Sequence, residues 1–216
     1  MDDKSLQQSI IDELDFDPSI NAAHIGVAVD RGIVTLSGHV HSYMEKLSVE
    51  AAVRRVKGVR GIAADISVRH PSDKKIADDE IAKRAVDILN WSIHVPADSI
   101  QVTVENGWVT LAGDVDWQYQ KIGAADAVQG LSGVAGVTNN IVIRPRVPPG
   151  SAEPEIMEAL RRQAATDPCQ VRVVLHDGGR ISLYGSVPNW HEWDAAEQAA
   201  WSIPGVTSVD NKLTIG

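Results

Sequence analysis

The sequence predicts an α+β fold of three tandem small modules, each running helix-strand-strand-helix-strand, with a mixed three-stranded sheet and two helices on one face. Three observations predict it. Glycines recur in register: Gly32, Gly38, Gly58 and Gly61 return 75 positions later as Gly107, Gly113, Gly133 and Gly136, and three of these return 72 positions further on as Gly179, Gly185 and Gly205. Aliphatic residues travel with them: Val34, Leu36 and Val40 become Val109, Leu111 and Val115, then Ile181, Leu183 and Val187. Stripes at near-helical period alternate with stripes of period two, the spacings that bury one side of a helix or of a strand. A register kept over three copies is an internal repeat whose unit is one supersecondary motif. The predicted modules are 1–69, 76–144 and 152–216.

Each element has a local reason. The first helix carries Leu6, Ile10 and Leu14, then Ile81, Ala85 and Leu89, then Ile156, Leu160 and Ala164, each set spaced by four. Strands one and two form a hairpin through Asp30-Arg31-Gly32, Glu105-Asn106-Gly107 and Asp177-Gly178-Gly179, turn residues that tolerate positive φ. In strand two, Val34 and Leu36 face the core and Thr35 faces away. The second helix opens on a capping-box pattern, Ser42 with Glu45 and Asn189 with Glu192; the middle copy lacks the pattern, and Asp116 is its candidate cap. Its buried stripe is Val49, Ala52, Val53 and Val56, repeated as Ala124, Ala127, Val128 and Leu131 and as Ala196, Ala199, Ala200 and Ile203. A helix between strands two and three is a crossover, so those strands run parallel in one sheet. The linkers are 70–75 and the proline-rich stretch 145–150. A module of about 65 residues has a marginal core, which gives the copies a reason to lean on one another.

The pattern GxVxLxGxV in strand two, here Gly32, Val34, Leu36, Gly38 and Val40, followed by Gly58-Val59 after the helix, resembles the BON domain. Copy two matches it fully; copy three has Ile181 at the second position. The resemblance covers nearly the whole chain outside the linkers. It implies a bacterial, non-enzymatic module associated with phospholipid membranes, envelope integrity and osmotic stress. The matching residues are glycines and core aliphatics, so they carry over a fold and not a binding site.

Bulk composition sets limits on partners. The 216 residues carry a net charge of −9, a poor match to nucleic acid, which needs clustered cations. Cys169 is the single cysteine, so no internal disulfide forms. No basic-then-apolar leader opens the sequence and no apolar run approaches the roughly 18 residues of a membrane span. The expectation is a cytoplasmic chain that touches a membrane only peripherally. No catalytic residue, cofactor site or metal site is assigned. The repeated glycines lack the strand-loop-helix setting of a phosphate loop, and their reading is turn duty. His39 and His41 share one end of a strand without a third ligand in view. Cys169 has no activating base beside it in sequence.

Contact residues are sought by comparing copies. Trp108 aligns with Ile33 and Arg180, Trp117 with Ser42 and Asn189, Trp193 with Lys46 and Lys121, and Trp201 with Arg54 and Gln129. Mostly polar siblings predict that these four indoles point away from their own cores. Packing between modules, a membrane surface and a protein partner all suit outward indoles. Arg54, Arg55, Lys57 and Arg60 cluster at the end of the first copy's second helix, where they complement the helix dipole or meet lipid headgroups. Two functions follow: association with phospholipid surfaces, or a protein-interaction module that docks a partner or a second copy.

Overall fold

The first helix, α1 (Asp3–Phe16), starts where Asp2 accepts a hydrogen bond from the Ser5 amide and buries Leu6, Ile10 and Leu14 along one side. It packs on β1 (Ile25–Asp30), β2 (Ile33–Val40) and β3 (Gly61–Val68), with α2 (Tyr43–Arg55) crossing between the last two. Strands β1 and β2 are antiparallel and β2 and β3 parallel, the mixed sheet the crossover demands. Core residues of both helices and of β2 and β3 converge: Ile10, Leu14, Val34, Leu36, Val49, Val53 and Ile66 are each at most 5% exposed. Fully burying an aliphatic side chain contributes about 1.5–3 kcal/mol, so this one layer is the module's main source of stability. On the opposite face Ile33, Thr35 and Ser37 are exposed, and no helix of the described residues covers them.

The computed structural model describes residues 2–69, 76–96, 98–145, 154, 158 and 171–215. The plan recurs in α3 (Asp78–Trp91), β4 (Ile100–Glu105), β5 (Trp108–Val115), α4 (Gln118–Gln129) and β6 (Gly136–Ile143). It recurs again in β7 (Val171–His176), β8 (Arg180–Val187), α5 (Trp190–Trp201) and β9 (Ser208–Ile215). Sheet orders are β1-β2-β3, β4-β5-β6 and β7-β8-β9. The predicted stripe Ile156, Leu160 and Ala164, the linker 70–75, all of the linker 145–150 except Pro145, and Cys169 lie outside the described residues. Two compact units divide the chain: Met1–Ile88 with Val102–Thr110 and Asp126–Thr138, and Leu89–Gln101 with Leu111–Ala125 and Asn139–Gly216. The middle module contributes segments to both.

The repeated glycines have a steric origin. In β2 and β5, Gly38 and Gly113 sit at φ of +123° and +143°, and an added Cβ would stand 2.0 Å from the His24 carbonyl oxygen and 2.1 Å from that of Ser99. Backbone passes where a side chain would be. At the hairpins, Arg31-Gly32 and Asn106-Gly107 all have positive φ, as a two-residue primed turn requires. A device that the sequence reading missed holds these turns. The Asp3 carboxylate accepts from the Arg31 and Gly32 amides at 2.8 and 3.1 Å, and Asp78 does the same for Asn106 and Gly107 at 2.7 and 2.9 Å. One carboxylate thus joins the start of the first helix to the hairpin tip. Asp78→Ala is expected to cost about 1–3 kcal/mol, since each bond to a charged acceptor exceeds a neutral one. The shift of the urea midpoint read by Trp fluorescence measures it.

The capping boxes form. Ser42 accepts from the Glu45 amide at 3.1 Å and Asn189 from the Glu192 amide at 3.0 Å. Buried Glu45 in turn accepts from the His41 and Asn21 amides at 2.8 and 2.9 Å, tying the helix start to the loop before β1. The middle copy differs from expectation. There Gln120, at the position of Glu45, accepts from the amides of Asp116 and Trp117, both at 3.1 Å. Half of the box survives in a glutamine, which a search for Ser or Asn at the first position overlooks.

Candidate interaction surface

Two aromatic residues project from the ends of first helices. Because α1 buries positions 6, 10 and 14, a residue two places beyond the last lies on the far side of the helix. Phe16 is there, 86% exposed. Trp91 occupies the same place in α3, 75 positions on, and is 88% exposed. Ile93 beside it is 93% exposed. Neither Phe16 nor Trp91 was singled out from sequence. Their equivalence was the available signal: two copies place an aromatic residue where the repeat needs no core residue.

The four predicted indoles separate. Trp108 lies on the open face of the middle sheet, with its ring against Gly136 and its Nε1 donating to Thr138 Oγ1 at 2.8 Å. Trp193 and Trp201 correct the expectation: both are partly buried and pack against the third module's own core. Trp193 Nε1 also donates to the Leu213 carbonyl at 3.2 Å. The polar siblings misled because the third core is built on Ala195, Ala196, Ala199 and Ala200 and leaves room at its margin for a large ring. Trp117 is half-buried and meets Tyr119 at a ring separation of 6.1 Å. With Ile122 and Trp201 these two residues line a groove of about 540 Å³, whose other walls are Gln118, Gln198 and Ser202. Beside Trp117, the Asp116 carbonyl accepts from the Gly205 amide at 3.1 Å, so the second and third modules share backbone contact as well. Among the described residues no Asp, Glu, Lys, Arg or His lines the groove.

The basic cluster is largely engaged. Arg55 reaches Glu13 at 3.0 Å and Asp17 at 3.8 Å, and Arg54 reaches Glu50 at 3.8 Å. The aliphatic stem of Arg60 lies over the hairpin glycine Gly32. Lys57 sits exposed in the turn after α2. Exposed ion pairs contribute little stability, but they lower the positive field a headgroup would meet.

His39 and His41 gain a third neighbour that the sequence did not reveal. His24 stacks on His39 at a centroid distance of 4.6 Å and meets His41 edge-on at 6.2 Å, because the antiparallel register sets Ile25 opposite Gly38. Partial desolvation, then the charges of Arg69, His24 and His41, hold the His39 imidazole below its ordinary value. Among the described residues no group of three His, Cys, Asp or Glu stands in a metal-holding arrangement. Nor, among them, is any helix long and apolar enough to cross a membrane.

The BON domain profile matches residues 2–70, 77–145 and 151–216. The chain is 30% identical over 153 residues to osmotically-inducible protein Y of Escherichia coli strain K12, covering 65% of this chain and 72% of that protein. Among solved structures it has partial similarity to CdsD, a structural protein of the Chlamydia trachomatis type III secretion system, at 17% identity, a TM-score of 0.27 and coverage of 98% and 92% of the two chains. Similarity to the periplasmic domain of PrgH from S. typhimurium is 14% in identity with a TM-score of 0.24, over 89% of this chain and 94% of that one.

Proposed function

The chain belongs to the BON domain family, three domains in tandem, and from that premise we propose that it is a non-catalytic binding protein that associates peripherally with phospholipid membrane surfaces in a stress-related role. The observation that carries this reading is the pair of outward aromatic residues, Phe16 and Trp91, at one repeat position. A side chain of that size left in water is stabilised when it enters the interfacial layer, where an indole has an apolar body against acyl chain and an N–H towards water. Osmotic induction in the name of the E. coli relative supports the stress role. Tandem copies suit a surface ligand, because each further domain that engages acts at high effective concentration.

Vesicle co-sedimentation tests the reading. The whole chain is expected to bind phosphatidylcholine vesicles, and Phe16→Ala with Trp91→Ala to weaken binding by about tenfold or more per ring, the equivalent of burying a large apolar side chain. Failure of the chain to sediment with any vesicle would overturn the proposal. The Trp117–Trp201 groove favours a second reading, docking of a protein segment. Concentration-dependent self-association without lipid in analytical ultracentrifugation, abolished by Trp117→Ala, would support it.

A further inference from the structure

Alternation along the third module's strands turns one set of side chains away from the core. The register places Arg172, Tyr184 and Lys212 in one row across β7, β8 and β9, and His176 beside Arg180 in another, with Ser182 and Asp210 between the rows. Three cations and one carboxylate give this face a formal charge of +2 with His176 neutral, in a chain of −9. The strands of the other sheets carry Asp30 and Asp65, or Glu105 and Asp114, at the corresponding positions, with arginines only at the ends: Arg31 and Arg60 wall a groove on the first sheet, and Arg144 pairs with Asp114 at 3.7 Å on the second.

The cationic face is also shaped. His176, Arg180, Tyr184 and Lys212 wall a groove of about 460 Å³ over Ser182, which is only 5% exposed and whose hydroxyl meets His176 Nε2 at 2.9 Å. Lys212 Nζ is held 2.7 Å from Asp210 Oδ2 and 5.3 Å from the Tyr184 ring centroid. Groove, cations and an outward phenol therefore share one open face.

We propose that this face docks on anionic phospholipid headgroups, with Arg172 and Arg180 meeting phosphate, Lys212 held beside them on Asp210, and Tyr184 entering the interfacial layer. Charge complementarity selects the ligand: cations in two rows on a shallow face match a plane of anionic headgroups, and a ring beside them matches the interface. A nucleic acid would need a longer basic track than three cations in so acidic a chain. The inference rests on the membrane reading above and adds to it the lipid class and the domain that selects it.

The test is co-sedimentation of the full chain with phosphatidylcholine vesicles and with vesicles that also contain phosphatidylglycerol, at low and high salt. Phosphatidylglycerol is expected to tighten binding, and salt to remove the gain. Arg172→Gln with Arg180→Gln is expected to lose roughly 25-fold on the anionic vesicles, about fivefold per cation at the surface. Arg84→Gln with Arg144→Gln, which changes net charge equally in the middle module, is expected to bind as the wild type does. Binding to phosphatidylcholine with no gain from phosphatidylglycerol would overturn this inference alone, as would equal loss in both double variants. Binding to neither vesicle would overturn it together with the membrane reading. Circular dichroism of each variant confirms that the fold is kept.

Discussion

Gly113→Ala is expected to destabilise the middle module by roughly 2–6 kcal/mol, the sum of a strained left-handed backbone and an overpacked site. The glycine sits at φ +143°, and its Cβ would meet the Ser99 carbonyl oxygen at 2.1 Å and the Ile100 Cα at 3.1 Å. Both neighbours are backbone, so no side chain can rotate aside. A loss of that size is comparable to the whole stability of a small domain. Trp91, Trp108 and Trp117 report the module's unfolding in urea by fluorescence. Gly130→Ala is the control: its Cβ would meet nothing within 4 Å, and the substitution is expected to leave the midpoint unchanged or to raise it slightly. A Gly113→Ala midpoint as high as that of the control would contradict the steric account of the repeat.

Glu45→Ala is the second large effect, about 2–4 kcal/mol. It removes the acceptor of two backbone amides, His41 and Asn21, at a site with little access to water. Glu45→Gln is expected to cost at least half as much, because the two amides reach different carboxylate oxygens and the NH2 of a glutamine would face one of these donors. The glutamine of the middle copy meets no such conflict: both of its donors reach one oxygen, and Pro96, at the position of Asn21, has no N–H. The first module contains no tryptophan, so its stability is read by circular dichroism and by hydrogen exchange at residues 21 and 41. A Glu45→Gln midpoint equal to that of the wild type would contradict the account of Glu45 as an acceptor through both oxygens.

The fold was legible because its determinants are periodic. Stripes at 6, 10 and 14 and at 34, 36 and 40 name both their elements and their buried sides, and the strand-helix-strand order fixes the parallel pairing. Tertiary devices were not legible. Asp3 and Asp78 look like ordinary first-turn acids until the hairpin tip folds beside them. His24 is fifteen positions from His39 and becomes its neighbour only through strand register. Surface residues were read unevenly. Sibling comparison treats a polar sibling as a sign of exposure, which holds for Trp108 and fails for Trp193 and Trp201, where an alanine-rich core admits a ring at its edge. The same comparison applied to Phe16 and Trp91 would have shown two aromatic residues at a position that is outward by helical geometry.

Quenching of Trp emission by vesicles of brominated phosphatidylcholine tests the membrane reading most directly, because bromine reports only indoles that enter the acyl layer. The account predicts that the full chain is quenched and that Trp91→Phe, which keeps an aromatic ring and hence binding, loses much of that quenching. Vesicle binding with equal quenching in both proteins, or with none in either, would contradict the assignment of the helix tips as the contact.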